Sequence, residues 1–412
     1  MSVSASPKPT AKKIVESAEP PRLLGTPARR VFLIIGLIVV AIFFLAANDD
    51  FLTIANDTLV AAIAALALNV LSGYTGQVSL GIAFFMAIGA YTAAWLGGTP
   101  PASPRDPLGL GLSFVIWLPA AGIVAALVGA LVGPTALRLK DFYLGIVSLA
   151  LIFIGHYIFF NATGITGGPQ GRTFPPVVIG SFSFDQQNNV PGTGFALTPG
   201  QQYFLLLFIV LVLAALFVHN VMRTRAGRAF QAVRDNEIGA SIMGVNLLEA
   251  KMGAFILSSF LAGIAGALLA SYNRYVVPDY WDLTLSIQFV AAIIIGGIAS
   301  VWGSILGATF VFALPLLIDR FSLLPPSTSA VGLSSGDLNA IIYGLLIFAF
   351  LLFEPGGVIG LVRRSQALAR KFNPSGGEGG EPAETTDLPQ STSDTLLNAE
   401  QPQPPLTQSE PS

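Results

Sequence analysis

Residues 252–272 read MGAFILSSFLAGIAGALLASY, and this stretch decides the class of fold. It contains no charged residue and is about as long as the ~20 residues that an α-helix needs to cross a bilayer. The rest of the chain has the same character, since 53% of its residues are hydrophobic and only 11% are charged. We therefore predict an all-α polytopic membrane protein. The absence of cysteine excludes a disulfide framework, a thiolate metal site and a cysteine nucleophile.

Similar apolar stretches recur along the chain and predict about ten transmembrane helices. The turn between the eighth and ninth is short, because IIIGGIASVWGSILG offers only a few residues for a hairpin. The predicted spans are Val31–Ala47, Leu52–Ser72, Val78–Gly97, Leu110–Thr135, Phe142–Phe160, Gln202–Val221, Met252–Tyr272, Leu283–Ile298, Val301–Ile318 and Leu338–Phe353.

The distribution of lysine and arginine predicts which side of the membrane each loop occupies, because short cytoplasmic loops carry an excess of basic residues. With both termini in the cytoplasm, 17 of the 21 basic residues lie inside. Only Arg105, Arg172, Arg274 and Arg320 fall outside. This orientation gives a basic cytoplasmic lead (1–30), a transmembrane domain (31–364) and a cytoplasmic tail (365–412). The transmembrane domain carries a cytoplasmic loop at 222–251 and an external loop at 161–201.

The two ends of the chain differ from the apolar body. After Lys371 the tail has seven acidic residues, no basic ones and abundant Gly, Pro, Ser and Thr, a composition that predicts disorder. The basic lead could contact anionic membrane lipid, although the orientation rule alone explains its charge.

Titratable side chains within the predicted spans are few, and Asp57 and His156 are the candidates for a substrate or ion site. Asn56 or Asp57 could instead cap the second helix. His156 is more typical of a hydrogen-bonded structural residue than of a proton relay. The chain has no GxxxxGK[ST], HExxH or GxSxG motif, so we predict no catalytic residues and no enzymatic activity.

The stretch GYTGQVSLGIAFFMAIGAY, residues 73–91, joins the second and third spans and is rich in glycine. It predicts irregular backbone that is buried or lines a cavity, or equally a hairpin turn followed by a closely packed helix. Small residues four positions apart predict close helix packing elsewhere. These pairs are Gly129 and Gly133, Gly266 and Ala270, and Gly303 and Gly307.

The loop between the sixth and seventh spans carries the strongest indication of function. Five basic residues, Arg223, Arg225, Arg228, Arg234 and Lys251, surround AVRDNEIGASIMGVN. This segment is typical of a short amphipathic helix, and a helix of mixed polarity on the cytoplasmic side predicts a docking partner.

Five segments of the chain resemble a known family. They are LNVLSGYTGQVSLGIAFFMAIGAYTAA, TGITGGPQG, GRAFQAVRDNEIGASIMGVNLLEAKMGAFILSSFLAGIAGAL, VVPDYWDLTLSIQFVAAIIIGGIASVWGSILGA and FEPGGVIGLV. In order from about Ala61 to Arg364, they look like the membrane permease subunit of branched-chain amino acid ABC importers, of the LivM type.

The resemblance implies an ABC importer permease bundle in a bacterial inner (plasma) membrane. A second homologous permease subunit would complete the path, and a periplasmic or lipid-anchored binding protein would deliver the ligand. Two cytoplasmic ABC ATPase subunits would use ATP, so this chain would bind no cofactor, metal or nucleic acid. The residues that we assign to the translocation path are Asp57, Gly76, Gln77, Ser79 and Gly81.

The resemblance also implies that a helix from about Gly227 to Gly244 couples the permease to an ATPase subunit. On one continuous helix, Ala229, Val233, Ala240 and Met243 share a stripe. Ala240 and Gly244 keep the four-residue spacing of the EAA loop of ABC permeases, whereas Ile238 stands where its Glu would be. The residues that we assign to coupling are Arg228, Val233, Arg234, Asp235, Asn236, Glu237, Ala240 and Gly244.

Other functions remain open on the residues alone. Relatives of the family resemble urea and short-chain amide permeases, and Ile82 stands where family members often carry His, which makes the predicted path more apolar. A secondary transporter driven by an ion gradient would use Asp57 or His156. A membrane scaffold would recruit partners through the tail.

Overall fold

Apolar helices and a few short strands make up the computed structural model, which describes residues 47–99, 109–136, 141–179, 182–189 and 196–320, with a few positions near 43 and 345. The described residues belong to one unit, 1–364, and the predicted tail at 365–412 lies outside them. In chain order the helices are α1 (Asp49–Leu68), α2 (Ile82–Gly97), α3 (Phe114–Ala136), α4 (Asp141–Asn161), α5 (Thr163–Thr166), α6 (Pro199–Arg223), α7 (Arg225–Asp235), α8 (Glu237–Ile242), α9 (Leu247–Asn273), α10 (Leu283–Gly296) and α11 (Val301–Arg320).

The described helices confirm the predicted fold class. Six stretches are long and apolar enough to cross a membrane, at Asp49–Gly73, Phe114–Pro134, Tyr143–Asn161, Pro199–Arg223, Leu247–Asn273 and Pro278–Gly296. The apolar helices Ile82–Gly97 and Val301–Leu317 are shorter. All eight predicted spans between residues 52 and 318 thus coincide with a helix. The predicted first and tenth spans lie almost entirely outside the described residues.

The bundle has two chemically different ends. We call the end that carries Arg223, Arg225, Arg228, Arg234 and Lys251 the basic end. The opposite end, the strand end, carries three two-stranded antiparallel sheets. Their strands are β1 (Arg172–Thr173), β2 (Val178–Ile179), β3 (Phe182–Ser183), β4 (Asn188–Asn189), β5 (Ala196–Leu197) and β6 (Tyr275–Val276), paired β1 with β6, β2 with β3 and β4 with β5.

A buried arginine fastens the strand end. In the β1–β6 pair Arg172 lies opposite Val276, which joins the loop after α4 to the chain that leaves α9. The buried Arg172 guanidinium donates a hydrogen bond to the Ile165 carbonyl at 2.7 Å. Burial lowers the pKa of Arg172 from its usual value. The strand end is therefore ordered by specific contacts.

The centre of the bundle is built on small residues. A Cβ atom on Gly89 of α2 would lie 2.0 Å from the Gly263 carbonyl oxygen of α9, and one on Gly266 would lie 1.9 Å from the Met86 carbonyl oxygen. The two backbones can approach this closely only because side chains are missing there. The predicted small-residue pairs pack in the same way, since Gly129 faces Ser259, Gly133 faces Met252, and Gly303 and Gly307 face Gly296.

A tight hairpin joins α10 to α11 at the basic end. The turn from residue 297 to residue 300 reverses the chain with positive φ angles at Gly297 (114°) and Ala299 (59°). The few residues that the sequence offers for this hairpin are thus enough. Positive φ is unfavourable for alanine, so neighbouring contacts must hold the turn in place.

The third span begins four residues later than predicted. Residues 78–81, the first four of the predicted helix Val78–Gly97, are not helical, and α2 begins at Ile82. Its 16 residues are about 24 Å long, less than the ~30 Å hydrocarbon core. We call residues 74–81 the link, because this non-helical segment connects the end of α1 to α2.

Candidate functional site at the basic end

Two short helices at the basic end, α7 and α8, form the candidate site. Thr224 caps α7 by accepting a hydrogen bond from the Gly227 N–H at 3.5 Å. Asn236 interrupts the helix with extended backbone (φ −162°, ψ 108°), and its Oδ1 accepts from the Gly239 N–H at 2.8 Å to cap α8. The single helix predicted from Gly227 to Gly244 is therefore wrong, because Asn236 ends one helix and starts another.

The break changes which residues face outward. Phe230, Val233 and Ala240 are buried against the bundle. Val233 and Ala240, which we assigned to coupling, cannot contact a partner directly in this arrangement. The predicted stripe is also wrong, because Met243 lies beyond the end of α8 and is exposed while Ala240 is buried.

A different apolar surface is available to a partner. Ile238, Ile242 and Met243 have exposed fractions of 73%, 80% and 86%. We call these three residues the apolar patch. They lie on and directly after α8, at the end of the bundle that also carries the five basic residues. Exposed apolar side chains next to such a surface are typical of a protein–protein contact.

Ion pairing ties α8 to the bundle. Glu237 forms a salt bridge with Lys251 in the first turns of α9, and the Lys251 side chain is mostly buried. The carboxylate lies at the N-terminus of α8, where the helix dipole also favours a negative charge. Glu237, which we assigned to coupling, thus joins the helix pair to a membrane-spanning helix.

A small polar pocket of about 230 Å³ lies beside the helix pair. Tyr74, Gln231, Arg234, Asp235 and Ala299 line it, so it lies among the link, α7 and the α10–α11 turn. Burial raises the pKa of the Tyr74 phenol above its ordinary value. Two other residues that we assigned to coupling lie nearby. Arg228 is on α7, and Gly244 lies just after α8 with a positive φ of 83°.

The link brings together four of the five residues that we assigned to the path. Gly76 is exposed next to Arg234, whereas Gln77 and Ser79 are buried. A Cβ atom on Gly81 would lie 3.0 Å from the Ser148 carbonyl oxygen of α4. Because Gln77 and Ser79 are enclosed by protein, their side chains do not line open space in this conformation. The link is irregular and mostly buried, although Gly76 and Val78 are exposed, and irregular buried backbone is one of the two predicted alternatives.

Asp57 lies apart from the link. It is in the third turn of α1, about 18 Å along the helix from Asn69 at 1.5 Å per residue. The helix begins at Asp49 after Asn48, so neither Asn56 nor Asp57 caps it, and the capping alternative is wrong. The Asn56 amide instead donates to the Gly200 carbonyl at the start of α6, at 3.1 Å. His156 is partly exposed, with its Nε2 3.8 Å from Asp279 Oδ1.

Sequence reasoning missed Asn69, which holds the α10–α11 turn. Its Nδ2 donates to the Ser300 carbonyl at 2.9 Å and to Ser304 Oγ at 2.6 Å, while its Oδ1 accepts from the Ala299 N–H at 2.9 Å. Asn69 begins a π-helical turn, Asn69–Gly73, and is fully buried. The sequence signal for this role is the single amide side chain in the apolar run AALALNVL, because a buried amide must find hydrogen-bond partners.

The fold and this site define a multi-pass membrane protein. Residues 51–351 match the family described as the branched-chain amino acid transport system / permease component, and the chain belongs to this family. It is a permease component, as the resemblance predicted.

Individual relatives agree with the family. The chain is 29% identical over 374 residues to the high-affinity branched-chain amino acid transport system permease protein LivM of Salmonella typhimurium, covering 86% of this chain and 82% of the relative. It is 23% identical to the probable LivM of Methanocaldococcus jannaschii, covering 72% and 89%. A probable LivH of the same organism is 29% identical over 158 residues, 38% of this chain and 48% of the relative. No solved structure matches.

Proposed function

We propose that this chain is the membrane permease subunit of an ATP-driven ABC importer for branched-chain amino acids in the bacterial plasma membrane. Both termini lie in the cytoplasm, and a second homologous permease subunit completes the translocation path. Two ATPase subunits dock at the basic end, and a binding protein delivers the substrate at the strand end. ATP is bound and hydrolysed by the partner subunits.

The apolar patch is the observation that carries the docking part of this proposal. Ile238, Ile242 and Met243 project from a short helix that is capped by Asn236 and held to α9 through the Glu237–Lys251 pair. A short amphipathic helix can insert such side chains into a groove of another protein. The family relationship and the names of its relatives support the importer and the substrate class.

Copurification tests the docking surface. The chain is coexpressed with its candidate permease and ATPase partners, and the yield of ATPase retained by the tagged permease is measured. Ile242→Asp places a charge in the patch and should lower the retained ATPase by about tenfold, because burying an unpaired charge at an interface is strongly unfavourable. Tyr280→Asp, a comparable change at an exposed residue of the strand end, should have no effect.

Uptake by proteoliposomes tests the transport activity. The assembled complex and the binding protein are combined with labelled leucine, isoleucine, valine or urea, with and without internal ATP. Leucine, isoleucine or valine uptake that requires both ATP and the binding protein supports the proposal. Urea uptake under the same conditions would correct the substrate, and uptake on an ion gradient without nucleotide would overturn the importer assignment.

A further inference from the structure

The link contacts both the helix pair at the basic end and the interior of the bundle, as α9 also does. Gly76, near its start, lies against α7. Gly81, near its end, lies against Ser148 of α4. Ser148 is about 10 Å along α4 from its first residue, at 1.5 Å per residue. The link therefore extends from the surface of the basic end into the membrane-spanning region.

Close contacts join the link to the helix pair and to α9. Gly76 has a positive φ of 75°, and a Cβ atom there would lie 3.4 Å from Arg234 Cγ and 3.7 Å from Arg234 Cβ. The buried Gln77 donates from Nε2 to the Lys251 carbonyl at 3.3 Å. Lys251 in turn pairs with Glu237 of α8. A displacement of α7 would thus act on the link directly, and a displacement of α8 would act on it through Lys251.

Serine side chains from other helices hold the far end of the link. The Leu80 N–H of the link donates to Ser148 Oγ of α4 at 2.8 Å. Directly after the link, in the first turn of α2, the Ala83 N–H donates to Ser286 Oγ of α10 at 3.2 Å. Non-helical backbone at membrane depth needs such partners, because its polar groups have no water to bind in the hydrocarbon region. The link therefore connects the basic end to α4 directly and to α10 through the first turn of α2.

Gln77 shows one unusual feature. Its Nε2 is used by the Lys251 carbonyl, but its Oε1 is buried without a hydrogen-bond partner among the described residues. A buried acceptor without a donor is unfavourable and rare in folded proteins. The junction between the link and α9 therefore contains a buried polar group whose pairing is incomplete, and Gln77 is the residue that carries it.

We propose that the link transmits displacement of α7 and α8 to α4 and α10, and that Gln77 is the positioning residue that holds the link in register with α9. The proposal rests on the proposed function, since the displacement would come from the docked ATPases. It assigns to Gln77 a role in coupling ATP hydrolysis to transport, and no direct contact with the transported molecule.

Gln77→Met tests this role, because methionine has a similar length and shape but no amide. The readout is the amount of substrate taken up per ATP hydrolysed in proteoliposomes of the full complex. We expect the rate of ATP hydrolysis to stay within about twofold of wild type. The amount of substrate taken up per ATP should fall about tenfold, which is the effect of a tenfold change in the coupling equilibrium. A purely structural defect would lower uptake and hydrolysis together and leave the ratio unchanged.

Gln202→Met is the matched control. Gln202 is also buried and donates to backbone carbonyls, those of Gln186 at 2.9 Å and Leu197 at 3.0 Å, but it lies at the strand end. Its substitution should not change the ratio. An unchanged ratio in Gln77→Met, or an equal fall in both variants, would overturn the proposal. If wild type shows no ATP-dependent uptake, it is the proposed function that fails.

A crosslink provides a second test if Gln77→Met fails to assemble. The 3.7 Å between the Cβ positions of residues 76 and 234 lies in the disulfide range, and the chain has no native cysteine. Gly76→Cys places a side chain at a positive φ of 75°, but this strain is present in both the oxidised and the reduced form. In Gly76→Cys/Arg234→Cys with cysteine-free partners, the oxidised complex should keep at least about half of the uptake of its reduced form. Loss of uptake on oxidation and recovery on reduction would show that α7 and the link must separate, which contradicts transmission through this contact.

Discussion

Asn69 fastens two distant parts of the bundle, since its amide makes hydrogen bonds to Ala299, Ser300 and Ser304. At the basic end this side chain supplies hydrogen-bond partners to a turn, as backbone groups do inside a helix. It satisfies the polar groups of a turn in which Ala299 has a positive φ. The stability of the hairpin thus depends strongly on a single residue.

Asn69→Ala should lower the free energy of unfolding by about 2–3 kcal/mol, because the partly buried Ala299 N–H loses its acceptor and Ser304 Oγ loses a buried donor. Thermal unfolding of the purified protein in detergent, followed by intrinsic fluorescence, measures the change. Asn161→Ala is the control, since its exposed amide donates only to the Tyr157 carbonyl at 2.7 Å. Equal unfolding temperatures for the two variants would contradict the role of Asn69.

Gly89 sets the distance between α2 and α9. Gly89→Ala places a methyl group 2.0 Å from the Gly263 carbonyl oxygen, so the helices must separate, and we expect a loss of about 1–3 kcal/mol or more. Gly164→Ala should be neutral, because no atom lies within 4 Å of the added carbon. The same unfolding measurement compares them, and a Gly89→Ala protein as stable as wild type would refute the close approach.

At the scale of elements, the sequence predicts most of the membrane helices because length and apolarity suffice to define a span. It does not predict where α2 begins. Val78 is as apolar as Ile82, and only the contacts of Leu80 and Gly81 with Ser148 show that the intervening residues are not helical. Such contacts join residues far apart in the chain, and periodicity carries no information about them.

The candidate site was predicted in position but not in detail. The basic residues correctly placed an amphipathic segment between the sixth and seventh spans. Asn236 was assigned to a helix interior, although asparagine is also among the preferred N-cap residues. Because the helix breaks at Asn236, the residues after it point in directions different from those on one continuous helix. Ala240 is therefore buried, while Ile242 and Met243 are exposed.

Asn236→Ala should loosen α8, because the Gly239 N–H loses its acceptor. A cap is worth about 1 kcal/mol, so amide hydrogen exchange across α8 should become about fivefold faster. Asn236→Asp keeps the acceptor and adds a charge that the N-terminus of a helix favours, so its exchange should match wild type. Equal exchange in the Ala and Asp variants would show that the cap does not hold α8.

At the scale of the whole molecule, the charge difference between the two ends predicts orientation. Because the chain contains no cysteine, a single introduced cysteine is a unique label site. In cells that lack the ATPase subunits, Met243→Cys at the basic end should react with a membrane-impermeant maleimide only after the cells are permeabilised. Tyr280→Cys at the strand end should react in cells or spheroplasts whose plasma membrane is intact. The reverse pattern would invert the predicted topology.

The contact of Asn69 with the α10–α11 turn also has a consequence for biosynthesis. The Asn69 amide and the Ser300 carbonyl are 231 residues apart in the chain. At a synthesis rate of ~5–20 residues per second, roughly 10–50 s pass between the appearance of the amide and that of its partner. During that interval α1 carries an unpaired polar group at the membrane. The nascent chain therefore completes this part of its interior only after most of the bundle has left the ribosome.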